Sequence, residues 1–99
     1  MIRHVALFKW KAGTTPEQIQ ALEDALTRLP GEVPEIRAYR LGADLGLGAG
    51  NADFAVVADF ASLEDWRAYV QHPAHVRVIE EFILPIRESR VVLQYEFQA

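Results

Sequence analysis

Residues 2–11, Ile2-Arg3-His4-Val5-Ala6-Leu7-Phe8-Lys9-Trp10-Lys11, alternate in two sets. Read as an extended strand, Ile2, His4, Ala6, Phe8 and Trp10 share one face, and Arg3, Val5, Leu7, Lys9 and Lys11 share the other. Both sets carry apolar side chains. An antiparallel strand with one face on a core and one in water shows polar residues on the wet side, so Val5 and Leu7 require a second covering layer. Residues 53–60 repeat the feature, with Phe54, Val56, Ala58 and Phe60 on one side and Ala55, Val57 and Asp59 on the other.

Between these two strands, Thr15-Pro16-Glu17-Gln18 reads as a helix start. Thr15 is the N-cap, Pro16 sits where a missing N–H costs nothing, and Gln18 completes a capping box. Ile19, Leu22, Leu26 and Leu29 follow at helical spacing, and the helix is expected to stop at Pro30-Gly31. Ile36 to Leu41 has strand character. Gly42 to Asn51 forms a glycine-rich loop whose Gly46, Gly48 and Gly50 lack phosphate-loop spacing and precede a strand rather than a helix. It reads as a mobile loop, with a lid over a pocket as the functional alternative.

Downstream, Ser62 caps a short helix presenting Leu63, Trp66, Tyr69 and Val70. Pro73 interrupts it, because the residue before a proline is driven from helical angles. His72 therefore falls at a break, and a second helix runs from Pro73 to about Ile86. Val91 to Phe97 is the final strand. The order is an α+β, ferredoxin-like βαββαβ arrangement in one domain over residues 1–99. Right-handed crossovers place both helical segments on one face of a four-stranded antiparallel sheet. The other face, apolar but uncovered, fits a second copy of the chain, so a homodimer through sheet faces is expected.

The chain has 99 residues, 51% hydrophobic and 24% charged, with a net charge of −4. No Lys/Arg stripe is interleaved with aromatics, which argues against nucleic acid. There is no cysteine, hence no disulfide or thiolate chemistry. The alternating first residues lack a signal peptide's apolar run, and no stretch approaches the roughly 20 apolar residues of a membrane span. A cytoplasmic protein without membrane partner is the expectation.

Tyr69-Val70-Gln71-His72-Pro73-Ala74-His75 gathers three proton-transferring groups within one short segment. The break at His72-Pro73 allows Tyr69 and His75 to face the same space. A helix N-terminus disfavours nearby positive charge and so favours a neutral His75. A neutral imidazole beside a phenol can take a proton while the phenol orients a carbonyl. Tyr69 and His75 are the catalytic candidates; His4, His72, Phe8 and Trp66 are the candidate substrate-binding residues. The competing structural reading has Tyr69 and Trp66 in the core, His72 as a cap and His4 as a satisfied interior histidine. His72 and His75 lack the ligand set of a metal site, and neither metal nor organic cofactor is expected. A catalytic site here implies a dead-ended apolar pocket on the order of several hundred Å3 that takes a small apolar molecule.

The opening strand, the segment Phe60-Ala61-Ser62-Leu63-Glu64-Asp65-Trp66-Arg67-Ala68-Tyr69 and His72-Pro73-Ala74-His75 together resemble the stress-responsive dimeric α/β-barrel (Dabb) family. That resemblance spans nearly the whole chain. It implies a ferredoxin-like protomer whose sheet packs face to face with a second copy. Among members of the family is a plant polyketide cyclase whose catalytic tyrosine and histidine would fall on Tyr69 and His75, and its strand histidine on His4. Other members imply a non-catalytic, stress-associated oligomer.

Overall fold

The computed structural model describes residues Met1–Ala99. Strand β1, Ile2–Trp10, lies inside a four-stranded antiparallel sheet of order β2-β3-β1-β4. Its neighbours are β3, Phe54–Phe60, and β4, Arg87–Glu96; β2, Ala38–Ala43, is the far edge beside β3. The two most apolar strands thus pair with each other, with Ala6 opposite Val56 and Phe8 opposite Phe54. This is the expected ferredoxin-like arrangement.

Helix α1, Pro16–Glu32, begins with the full capping box: the Gln18 N–H donates to Thr15 Oγ1 at 3.2 Å and the Thr15 N–H to Gln18 Oε1 at 2.9 Å. It does not stop at Pro30-Gly31. Both residues lie within its last turn, which closes with the Val33 N–H on the Leu29 carbonyl at 2.8 Å. Leu29 and Val33 are fully buried, and their burial outweighs the single hydrogen bond that Pro30 cannot make.

Helix α2, Leu63–Gln71, is capped by the Ser62 hydroxyl, and His72 ends it in an extended conformation, φ −63° and ψ 132°. Helix α3, Pro73–Val78, continues into a wider π-helical turn, Ile79–Ile83, in which the Leu84 N–H reaches back to the Ile79 carbonyl at 2.9 Å. The helical stretch therefore ends near Ile83 rather than Ile86. Strand β4 starts at Arg87, four residues before the expected Val91, and Arg87-Glu88-Ser89-Arg90 joins the ladder across a bulge opposite Lys9 and Trp10. This segment looks like a loop by composition; pairing with β1 makes it a strand. Strand β2 is likewise displaced from residues 36–41 to 38–43, because its partner β3 sets the register from Ala38↔Asp59 to Ala43↔Phe54.

The core fills the space between one sheet face and the helices. Phe8, Phe54, Val56 and Phe60 meet Leu22, Leu26 and Leu29 of α1, Tyr69 of α2 and Val78 of α3. On the opposite face, Leu7, Val91, Leu93 and Tyr95 stay exposed in the protomer. Arg3 and Asp59 form a two-pronged ion pair there, Nε to Oδ1 at 2.7 Å and Nη2 to Oδ2 at 2.9 Å.

Candidate functional site

Helix α2 packs on β1 and β3, and a cavity of about 190 Å3 lies between the helices and the sheet, reaching from Tyr39 of β2 to Arg87 and Gln94 of β4. It is smaller than the sequence reading expected. Of the candidate residues, His4, Phe8, Trp66, Tyr69 and His75 all line it, together with Leu26, Val56, Ile79 and Ile83. His72 does not join them. Its Nδ1 accepts the Ala74 N–H at 3.1 Å, so the ring caps α3, outside the cavity that the other candidates line. His72→Ala is expected to cost about 1 kcal/mol, the usual value of a lost cap, with His72→Asn restoring it; urea unfolding of the two variants tests this.

His75 reaches the site from the first turns of α3. Its Nδ1 lies 3.3 Å from the Val70 carbonyl. A carbonyl only accepts, so Nδ1 carries the proton and Nε2 keeps a free lone pair. Burial holds the imidazole pKa below its ordinary value, against the raising effect of the Val70 carbonyl, with Arg90 and then His72 adding repulsion. The neutrality expected of His75 thus holds, but burial is its first cause rather than the helix N-terminus.

His4 has the opposite polarity. The Trp66 indole N–H, which can only donate, reaches His4 Nδ1 at 3.3 Å, and the Gln94 side-chain amide lies 2.9 Å from the same nitrogen. Nδ1 is therefore the acceptor and Nε2 bears the hydrogen. Burial first, then the charges of His75 and Arg90, push this imidazole down to about 4.

Tyr69 is buried, and its ring packs 4.1 Å from that of His75 between centroids. Its hydroxyl meets the Tyr39 hydroxyl at 2.9 Å. Burial raises the Tyr69 pKa well above that of a free phenol, reinforced by Tyr39, and burial raises that of Tyr39 to about 12. Both stay protonated near neutrality. One hydrogen bond between two hydroxyls uses one proton and leaves the other O–H free to donate.

Tyr39, Gln94, Arg87 and Arg90 also line the cavity, and sequence reasoning did not single them out. Alternation carried back from Val92 would have placed Arg90 on the helix-facing side. For Tyr39 no such signal exists, since its partner Ala58 is set by strand pairing.

A βαββαβ protomer with helices on one sheet face, an apolar opposite face and a histidine- and tyrosine-lined cavity under the helices defines a ferredoxin-like α/β-barrel protein. The chain belongs to the stress responsive A/B barrel domain family, whose model matches residues 2–97. It is similar to a dimeric ferredoxin-like protein of unknown function from Thermobifida fusca, at 46% identity and TM-score 0.90, covering 97% of this chain and 90% of that one. The hydroxynitrile lyase of Passiflora edulis is 26% identical with TM-score 0.86, covering 98% and 93%. A stress-response A/B barrel domain-containing protein of Arabidopsis thaliana is 27% identical over 84 residues, 83% of this chain and 77% of the relative.

Proposed function

We propose that this chain is a homodimer, joined through its apolar sheet faces, whose cavity binds a small, largely apolar molecule and transfers a proton on it without cofactor. The observation that carries the reading is the convergence of opposite hydrogen-bonding polarities on one apolar cavity. His75 Nε2 offers a lone pair, while His4 Nε2–H and the spare hydroxyl proton of the Tyr39–Tyr69 pair are donors. A base of this kind accepts a proton from an O–H or an acidified C–H, and the donors stabilise the oxygen on which negative charge develops. Cyclisation, isomerisation and lyase steps all share this requirement.

The likeness to a hydroxynitrile lyase supports a lyase as the first reaction to try. In that reaction the base removes the hydroxyl proton of a cyanohydrin, the carbon–carbon bond to cyanide breaks as the carbonyl forms, and cyanide leaves with the proton as hydrogen cyanide. The dimeric Thermobifida relative and the uncovered Val91, Leu93 and Tyr95 support the homodimer.

Mandelonitrile cleavage, followed by benzaldehyde absorbance, and binding of benzyl alcohol, followed by NMR, test the two halves of the reading. His75→Ala is expected to reduce turnover by about 10²–10⁴-fold, the usual contribution of a general base, with Tyr69→Phe intermediate. Benzyl alcohol is expected to shift resonances of Phe8 and Ile79. Absence of both turnover and binding favours the second reading, a non-catalytic oligomer, in which the Tyr39–Tyr69 and His4–Trp66 bonds serve stability alone.

A further inference from the structure

We propose that the β4 end of the cavity is an anion-recognition end, and that the molecule bound is a small monocarboxylate with an apolar body of about one ring, its carboxylate held by Arg90 and Arg87. The inference rests on the reading that the cavity holds a ligand, and adds its chemical class.

Register fixes where these arginines face. Gln94 lies opposite His4, Val92 opposite Ala6, Arg90 opposite Phe8, and Arg87 opposite Trp10. All four therefore stand on the helix side of the sheet. Both arginines line the cavity, and no Asp or Glu does. Neither has an ion-pair partner; the single salt bridge of the chain joins Arg3 to Asp59 on the other face. In a chain with net charge −4, an uncompensated arginine pair beside an apolar cavity is a local reversal of sign. Arg90 also depresses protonation of both His4 and His75, so its charge acts on the cavity groups.

The dimensions suit a short molecule. Arg90 stands opposite Phe8, four positions along β1 from His4, an offset of about 13 Å along the strand direction. The cavity volume of about 190 Å3 exceeds the roughly 150 Å3 known to hold benzene. A ring fills the part lined by Phe8, Leu26 and Ile79, and a carboxylate reaches the mouth. Arg90 is exposed and Arg87 half-buried, so the carboxylate keeps part of its hydration while meeting the guanidinium fork, whose donors match a carboxylate two by two.

The test uses full-length protein with 3-phenylpropanoate and its uncharged counterpart 3-phenylpropanol, titrated at pH 7 and low salt by two-dimensional NMR. Wild type is expected to bind the acid about tenfold or more tightly than the alcohol, as one charge-assisted hydrogen-bonded contact provides. In Arg87→Gln/Arg90→Gln the preference is expected to vanish while alcohol affinity stays within about twofold, which also reports an intact cavity. Equal affinities in wild type, or a preference that survives in the double variant, overturn the carboxylate assignment and leave the ligand cavity standing. If neither probe shifts the resonances of His4, Phe8 or Ile79, the ligand-cavity reading fails and this proposal fails with it.

Discussion

Leu93→Asp is expected to turn a homodimer into monomers, with light scattering falling from twice the 11.2 kDa chain mass to 11.2 kDa. Leu93 is 52% exposed in the protomer and pairs, on edge strand β4, with Val5 of β1, whose other neighbour on the uncovered sheet face is Val57. In a monomer that position is surface, and an Asp there costs no more than about 0.5 kcal/mol. In a face-to-face dimer it places a carboxylate between two largely apolar sheet faces, where the nearby Arg3 is already paired with Asp59. A twofold axis does so twice. An unpaired buried charge costs several kcal/mol, so Kd is expected to rise by about a thousandfold or more. Leu93→Ala should keep the dimer with weakened affinity. Dimeric Leu93→Asp at micromolar concentration would move the interface to another surface.

Acidification provides the second large effect. Above about pH 6.5 an unfolded chain carries His4 neutral, and so does the folded one. Between pH 6.5 and about 4 the unfolded chain takes up a proton at His4 that the folded protein refuses, because burial, then His75 and Arg90, lower its pKa to about 4. The unfolded state then binds more protons, so stability increases with pH through this window, is complete above it, and is lost as pH falls. Burial acts on His75 in the same direction. The full His4 shift corresponds to about 3 kcal/mol; because the ring is partly open to solvent, about 1–2 kcal/mol is the expected loss. Asp59, held below the usual carboxylate range first by its hydrogen bond from Arg3, loses its contribution at lower pH still. Urea midpoints from pH 7.5 to 4 at fixed protein concentration measure the slope, and His4→Gln should flatten it although it also loses the Trp66 contact. An unchanged slope in that variant would assign the acid sensitivity elsewhere.

Much of the architecture was readable because it is written in local periodicity. The two-sided alternation of Ile2 to Lys11 and of Asp53 to Phe60 identified the central strands and the uncovered face. The capping box at Thr15, the Ser62 cap and the break at His72-Pro73 set helix starts to the residue, since caps and prolines act within one turn. Five of the six candidate site residues line one cavity for the same reason. His4 and Phe8 share a strand face, and Trp66 and Tyr69 share a helix face.

What the sequence determined alone, then, was the identity of the strands and helices, the apolar character of both sheet faces, and the Tyr69/His75 pair on either side of a proline break. Only the tertiary structure decided the start of β4 at Arg87, the shift of β2, the continuation of α1 through Pro30, and the role of His72 as a cap. It also decided that Tyr39 meets Tyr69 and that Arg90 faces the cavity. The physical reason is the range of the forces. Capping and amphipathic periodicity act between residues three or four apart, whereas register comes from hydrogen bonds between strands far more distant in sequence, 11 residues apart at Ala43↔Phe54, 46 at Phe8↔Phe54 and 82 at Phe8↔Arg90, and no local pattern encodes which residue will stand opposite which. The two-sided strand that opens the chain marks both outcomes: its alternation named the two faces, and only its partners showed that one of them closes over a cavity.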